Sequence, residues 1–326
     1  MSLKAYIIRR LLLSIPAVLM TLVLIFFMLR ILPGDVAEAM LLGGASGTSG
    51  EAVPKEVREA LLKDLGLDKP IPVQLGMFIW GVVRGDMGKS LYTNKSVWYE
   101  IGQRAPITLQ ISLLALFLGL FFGIPIGVIT AIKQDSLPDY VLRFFSIMFL
   151  AIPSFWLGLV VLLVGASAFN WMPPVGRHVF WEGPLESLKQ SVWPSLILAS
   201  HSTAVIARMT RSTMLEVLRE DYIRTARAKG LAEQVVIIRH ALKNALIPVV
   251  TIAGLAFGGL LAGTVILERV FTIPGMGTLF INGINRRDYP IVQAVVFVIA
   301  ISFVIVNLIV DLLYGWLDPR ISFGGG

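Results

Sequence analysis

Apolar and polar positions follow one another in long blocks along this chain, not in short amphipathic periods. A hydrocarbon core takes roughly 20 helical residues to cross. Six blocks reach or approach that length: Ile8 to Ile31, Ile107 to Ile132, Pro138 to Phe169, Trp193 to Met209, Leu246 to Leu267 and Ile291 to Tyr314. Each is predicted to be a membrane helix. The third is long enough to tilt or break at Pro153, and the fourth is short and polar, so its ends are least defined. Six crossings place both termini on one side. Two polar stretches interrupt the blocks. Pro33 to Pro106 is long and mixed in charge, and within it Pro54 to Leu67 sets Leu61, Leu62 and Leu65 on one side of an amphipathic helix. Glu216 to Lys243 is compact and basic.

Composition agrees with a multi-pass membrane protein. Of 326 residues 56% are hydrophobic and 15% charged, and mean hydropathy is +0.78. There is no cysteine, which excludes disulfides, thiolate metal sites and cysteine nucleophiles. The net charge of +7 does not point to nucleic acid, because the cations gather beside the apolar blocks. Positive residues near helix ends are retained in the cytoplasm. Lys4, Arg9 and Arg10, then Lys133 and Arg143, then Arg208, Arg211, Arg219, Arg224, Arg227, Lys229, Arg239 and Lys243 therefore face inward, and Pro33 to Pro106 faces outward. The first block runs on into Leu32-Pro33-Gly34-Asp35 without a small-x-small cleavage site, so it reads as a retained helix, not a signal peptide.

The membrane blocks carry no carboxylate at mid-span, since Asp35, Glu268 and Asp311 fall at or near ends. Ion-coupled carriers hold their ion on such groups, so the energy source is expected elsewhere. Gln110, Ser112, His201 and Asn307 are polar groups inside the blocks. They serve either as hydrogen bonds between helices or as the lining of a polar route, with Gln110, His201 and Asn307 as the candidate path residues. Gly119, Gly123 and Gly127, and Gly254, Gly258, Gly259 and Gly263, form small-residue faces that let helices approach closely within the chain or across a dimer. Gly81 to Ser90 imitates a phosphate-binding loop but has Val83 where the first glycine is required, and Asn94-Lys95-Ser96 is a chance glycosylation pattern. His178, His201 and His240 are too scattered to hold a metal. An intramembrane hydrolase using a serine and His201 would need a nucleophile elbow or a metal-binding pair, and the sequence has neither.

The basic island spells a short helix over Tyr222 to Lys229 with Gly230 as its stop. Tyr222, Ala226 and Lys229 fall at i, i+4 and i+7, so one face carries an aromatic, a small residue and a cation. Such a helix either transmits a push from a cytoplasmic partner or is a solvated basic loop beside lipid.

The run Arg208-Met-Thr-Arg211-Ser-Thr-Met-Leu-Glu216-Val-Leu-Arg-Glu-Asp221-Tyr222-Ile-Arg224-Thr225-Ala226-Arg227-Ala-Lys229-Gly230, followed by His240-Ala-Leu-Lys-Asn244-Ala-Leu-Ile-Pro248, resembles the permease subunits of bacterial ABC importers for dipeptides, oligopeptides and nickel. It is similar to the B-type subunit, which has a long first outer loop. Further matches are Ile31-Leu-Pro33-Gly34-Asp35, Leu65-Gly66-Leu67-Asp68-Lys-Pro70, Gly123-Ile-Pro125-Ile-Gly127, Phe271-Thr-Ile-Pro274-Gly275-Met-Gly277, Arg286-Arg287-Asp288-Tyr289-Pro290 and Asp318-Pro319-Arg320. Together they span nearly the whole chain.

The resemblance implies an all-α membrane protein of the type I ABC importer permease fold, with six transmembrane helices, both termini cytoplasmic and a sizeable extracytoplasmic loop between helices 1 and 2. Its segments would be residues 1–32, 33–106 and 107–326, the last containing a cytoplasmic coupling loop over 210–247. It implies no catalysis by this chain. ATP and magnesium would reside in two partner ATP-binding subunits, alike or different. A second homologous permease and an extracytoplasmic substrate-binding protein would complete the machine in a bacterial or archaeal cytoplasmic membrane, with dipeptides or short peptides as cargo and nickel or another small solute as the alternative. Glu216, Asp221, Tyr222, Arg224, Thr225, Ala226, Arg227, Lys229 and Gly230 would couple to the ATPase, Arg224 standing where the general pattern has Glu. Phe271, Pro274, Gly275, Gly277, Arg286, Arg287 and Asp288 would form the loop that meets the binding protein.

Overall fold

The computed structural model describes residues 3–31 and 68–317, with Glu59 and Lys63 between them. The expected amphipathic helix over Pro54 to Leu67 and the Pro33-Gly34-Asp35, Leu65 to Leu67 and Asp318-Pro319-Arg320 matches lie outside that range. Among the described residues all regular structure is helical, apart from a single antiparallel bridge between Lys89 and Ser96. The helices are α1 (Leu3–Ile31), α2 (Ile71–Val83), α3 (Val97–Ile132), α4 (Leu137–Ala151), α5 (Ser154–Phe169), α6 (Pro184–Val217), α7 (Asp221–Ala228), α8 (Glu233–Val270), α9 (Met276–Asn285) and α10 (Tyr289–Leu317). Within α8, Val236–Leu242 winds as a π-helix.

Four of these helices, α1, α3, α8 and α10, are long and apolar enough to cross a membrane, and α4 with α5 forms a fifth, broken candidate bent by 99°. The break is local chemistry. Pro153 disfavours helical backbone at the residue before it, and Ile152 accordingly adopts ψ 125°. The helix α6 has 34 residues but is too polar to qualify, carrying Glu186, Lys189, His201, Arg208, Arg211 and Glu216. Several helices outrun the apolar blocks read from sequence: α3 begins at Val97 instead of Ile107, and α6 extends beyond Trp193 to Met209 at both ends.

The chain divides into two compact units. The first comprises Leu12–Pro106 and Pro274–Ser302. Its core joins Met87, Val97 and Ile101 to Met276 and Leu279 of α9 and to Ile291, Ala294 and Val295 of α10. Arg30 stands 3.4 Å over the Phe26 ring and donates to Gln74 on α2. The second comprises Met1–Leu11, Ile107–Ile273 and Phe303–Gly326. There α6 is central: Ile197, Leu198 and Ala199 pack with Ile107, Ile111 and Ala115 of α3 and with Leu260 and Leu267 of α8.

A methyl group added to the second unit's glycine stripe would not fit. A Cβ at Gly119, Gly123 or Gly127 of α3 would lie 2.4 Å from Ser202 Oγ, 2.8 Å from Ile206 Cγ2 or 2.4 Å from Thr210 Cβ, all on α6. Within lipid, helix association rests on such close packing instead of on expulsion of water. This stripe therefore closes a contact within the chain. Outward faces carry Phe117, Phe121, Phe144, Leu159 and Leu163, all exposed, as a lipid-facing surface requires.

Candidate functional site

The basic island folds as α7 followed by a turn into α8. Two residues of α7, Ile223 and Ala226, point inward and are buried against Ala131, Met214, Val236, Ala241 and Ala245. Burying an isoleucine from water stabilises by about 1.5–3 kcal/mol, enough to hold an eight-residue helix that would not persist alone. The stop is a Schellman motif. Gly230 takes φ 79°, its N–H donates to Arg227 O at 2.9 Å, and Leu231 N–H reaches Ala226 O at 3.4 Å. The expected glycine stop is thus observed, while the helix runs Asp221–Ala228, one residue earlier at each end than expected.

The expected face of Tyr222, Ala226 and Lys229 is not a single surface. Ala226 is 7% exposed and belongs to the core, whereas Tyr222 is 42% exposed and Lys229 is outside. The outward face consists of Asp221, Tyr222, Arg224, Thr225, Arg227 and Lys229. It is stiffened laterally. Asn244 Nδ2 donates to Tyr222 Oη at 2.7 Å, Thr225 Oγ1 donates to Asp221 O at 3.0 Å, and Arg224 lies 3.3 Å from Asp221 Oδ1. Arg227 donates twice to Glu233, from Nε at 3.1 Å and Nη2 at 2.7 Å. Those hydrogen bonds raise the Arg227 pKa further above its already high ordinary value. Glu216 is apart from this face, exposed near the end of α6.

Behind the island a carboxylate absent from the sequence reading holds α4 to α6. Asp139 is fully buried, accepts Arg211 Nε at 3.2 Å and Nη2 at 3.1 Å, and accepts the Asp135 N–H at 3.0 Å. Arg143 Nε stands 3.0 Å from its Oδ1 but off line for a hydrogen bond. The available signal was the i, i+4 spacing of Asp139 and Arg143 beside the Pro138 helix start. A second clamp joins α1 to α10, where Arg10 Nη2 donates to Asp311 Oδ1 at 2.6 Å. Glu268 is also buried and accepts the Thr108 hydroxyl at 2.5 Å.

Of the three candidate path residues, Gln110 is a helix-to-helix link. It accepts from Ser187 Oγ at 2.8 Å and donates to Ser191 Oγ at 2.9 Å. His201 lines a cleft of 720 Å³ between the α4–α5 break, α6 and α8, and is the one ionisable side chain in its lining. Gly259 faces the same cleft, with nothing within 4 Å of where its Cβ would be. Asn307 is half-buried on α10 and does not line this cleft.

The segment after α8 is more interior than its turn residues suggest. Phe271 is 2% exposed and packs in the α3–α6–α8 core. In the other unit Gly275 and Gly277 are buried at the start of α9, and Pro274 and Arg287 are half-buried. Asp288 is buried, accepting the Ser90 hydroxyl at 2.5 Å and the Leu91 N–H at 3.1 Å. Ser90 thus serves that latch and not a phosphate. Arg286 is exposed, its guanidinium 3.7 Å over the Tyr92 ring. Among the described residues no group of three or more His, Asp or Glu side chains is placed to hold a metal.

Comparison with known proteins fits these features to one class. The family model for the binding-protein-dependent transport system inner membrane component matches residues 123–323, and the model for the N-terminal part of such membrane components matches residues 3–112. The chain is 39% identical to the dipeptide transport system permease protein DppB of Alkalihalophilus pseudofirmus, over 98% of this chain and 99% of that one. It is 40% identical to DppB of Escherichia coli, over 97% and 98%, and 38% identical to the glutathione transport system permease protein GsiC of Pectobacterium atrosepticum, over 98% and 99%. A solved inward-facing structure of the MetNI methionine ABC transporter shares the fold, with TM-score 0.55 and 18% identity over 68% of this chain and 97% of that one. The chain is a DppB-like, all-helical and non-catalytic membrane permease, and it belongs to the family of binding-protein-dependent transport system inner membrane components.

Proposed function

We propose that this permease imports dipeptides or short peptides, delivered by an extracytoplasmic binding protein, as half of a heterodimer with a homologous permease driven by two ATP-binding subunits. The observation that carries the mechanism is the division of α7: Ile223 and Ala226 weld it to the bundle while Tyr222, Arg224, Thr225 and Lys229 stand outside. A helix held rigidly on one side and displayed on the other passes on force. ATP-driven closure of the partner subunits would draw the coupling helices together and open the path outward, with ATP and magnesium held by those subunits. The 720 Å³ cleft with His201 is the path-side surface in this reading.

The six-crossing topology belongs to the same proposal, with both termini cytoplasmic in a bacterial cytoplasmic membrane and residues 1–32, 33–106 and 107–326 as its segments. The sixth crossing is α6, some of whose polar groups bond to neighbouring helices: Ser195 Oγ donates to Ile111 O at 3.1 Å and Thr213 Oγ1 to Ala245 O at 3.1 Å. Peptide cargo is supported by the names of the DppB and GsiC relatives. At the outer side, Arg286 is the exposed member of the proposed binding-protein loop; Pro274 and Arg287 are half-buried and Gly275, Gly277 and Asp288 buried in the same unit, while Phe271 packs in the core of the other.

The test is ATP hydrolysis by the assembled transporter in nanodiscs. A dipeptide-loaded binding protein should stimulate it in the parent, and Thr225→Trp, a bulky side chain on the exposed face of α7, should abolish stimulation with assembly intact. Stimulation by nickel-loaded but not dipeptide-loaded binding protein would replace the cargo. Unchanged stimulation in Thr225→Trp would remove α7 from the coupling.

A further inference from the structure

A second cleft, of 540 Å³, lies between α4 and α6 and has a different chemistry from the first. Four arginines line it, Arg143 from α4 and Arg208, Arg211 and Arg219 from α6 and the residues just past it, with Glu216 as the single carboxylate in the lining. Asp139, behind it, is shared between Arg143 and Arg211. The side chains of Arg208 and Arg219 have no hydrogen-bond or ion-pair partner among the described residues and are exposed. Four guanidinium groups thus face two carboxylates, and two positive charges are uncompensated in one cleft.

The cleft is graded along the helices. Arg208, Arg211 and Leu215 fall at i, i+3 and i+7, one stripe of α6, with Arg219 in the turn just past its end, and Arg143, Ser146, Ile147 and Leu150 form the matching stripe of α4. The charged end of each stripe lies toward the α4 start and the α6 end, and the opposite end is apolar, with Ile147, Leu150, Ala204 and Ala207. A free anion would use only the first end. A diacyl phosphate uses both, since guanidinium forks match phosphate oxygens and the apolar walls take the first methylenes of a chain.

From this gradient we propose that the Arg143–Arg208–Arg211–Arg219 cleft binds the phosphate of an anionic phospholipid, its acyl chain running along Ile147 and Leu150. Basic pockets between membrane helices at the membrane surface are chemically suited to anionic headgroups. The proposal is independent of which cargo the permease carries. Bound lipid would bridge α4 to α6 alongside the Asp139 clasp, just above the α6 end that leads into α7.

The full transporter, reconstituted in nanodiscs of phosphatidylglycerol or of phosphatidylcholine, tests this by its melting temperature and by the lipid retained through detergent washing, read by mass spectrometry. Phosphatidylglycerol should be retained preferentially and raise the melting temperature. Arg208→Gln with Arg219→Gln, which leaves the Asp139 pairs intact, should cut that retention at least about fivefold, by the strength of one basic residue at an anionic surface. Arg239→Gln, an exposed cation outside the cleft, should match the parent. Should the neutral pair fail to assemble, Arg208→Lys with Arg219→Lys is expected to assemble and keep the phosphatidylglycerol preference. Equal retention of the two lipids, or a neutral pair that retains phosphatidylglycerol like the parent, would overturn the proposal. So would the same melting shift from inorganic phosphate in phosphatidylcholine discs, which would make this a free-anion site, or displacement of the lipid by a dipeptide, which would assign the cleft to the cargo route.

Discussion

The α7 island and the Phe271–Asp288 segment both carry motif residues, yet they place them in opposite ways. At α7 the charged residues stand outside, and Ile223 and Ala226 are buried. In the other segment Phe271, Gly275, Gly277 and Asp288 turn inward and Arg286 is left exposed. The first leaves its charged motif residues exposed. The second uses its motif to shape itself. Substitutions should therefore separate coupling from folding at α7 and fail to separate them in the Asp288 latch.

The largest effect is expected for Ile223→Asp. It puts an unpaired charge among Met214, Val236 and Ala241 and should cost about 3–5 kcal/mol, read as rapid proteolysis of the loop over residues 218–243. Ala226→Glu should behave alike, so its loss of coupling would report a detached helix and not a blocked contact. Asp288→Ala removes the acceptor of both Ser90 and Leu91 and should cost about 1–3 kcal/mol, seen as a lower melting temperature partly restored by Asp288→Asn. Gly230→Ala forces a side chain into positive φ and should cost about 1–2 kcal/mol. Smaller still, Arg286→Ala forfeits its stacking on Tyr92, about 0.5–1 kcal/mol at an exposed site, while weakening any contact that loop makes with the binding protein.

Much of the fold was legible. Pro153 marked the bend because proline acts on the residue before it, and Gly230 marked the stop because only its φ suits the motif. The glycine stripes marked a close packing whose partner the sequence did not name, and for Gly119, Gly123 and Gly127 it is α6. The true extent of α6 was not legible from hydropathy, which treats every polar side chain as exposed to lipid. Ser187, Gln190, Ser191, Ser195, Thr210 and Thr213 are instead buried inside the bundle. Asp139 was overlooked for a related reason: its partner Arg211 is 72 residues away and is chosen by packing. The inward turn of Ala226 was hidden because i, i+4, i+7 spacing defines a face without saying which neighbour covers it.

The chain has no native cysteine, so one introduced thiol reports one position. The decisive measurement is disulfide or bismaleimide cross-linking in the assembled transporter with Thr225→Cys on the outward face of α7, against Ile238→Cys, exposed on the π-helical stretch. Thr225→Cys is expected to cross-link to a cysteine in the ATP-binding subunit, with a yield that changes on adding ATP, and Ile238→Cys is not. No cross-link from Thr225→Cys, or equal ATP-insensitive yields from both positions, would contradict the assignment of α7 as the coupling helix.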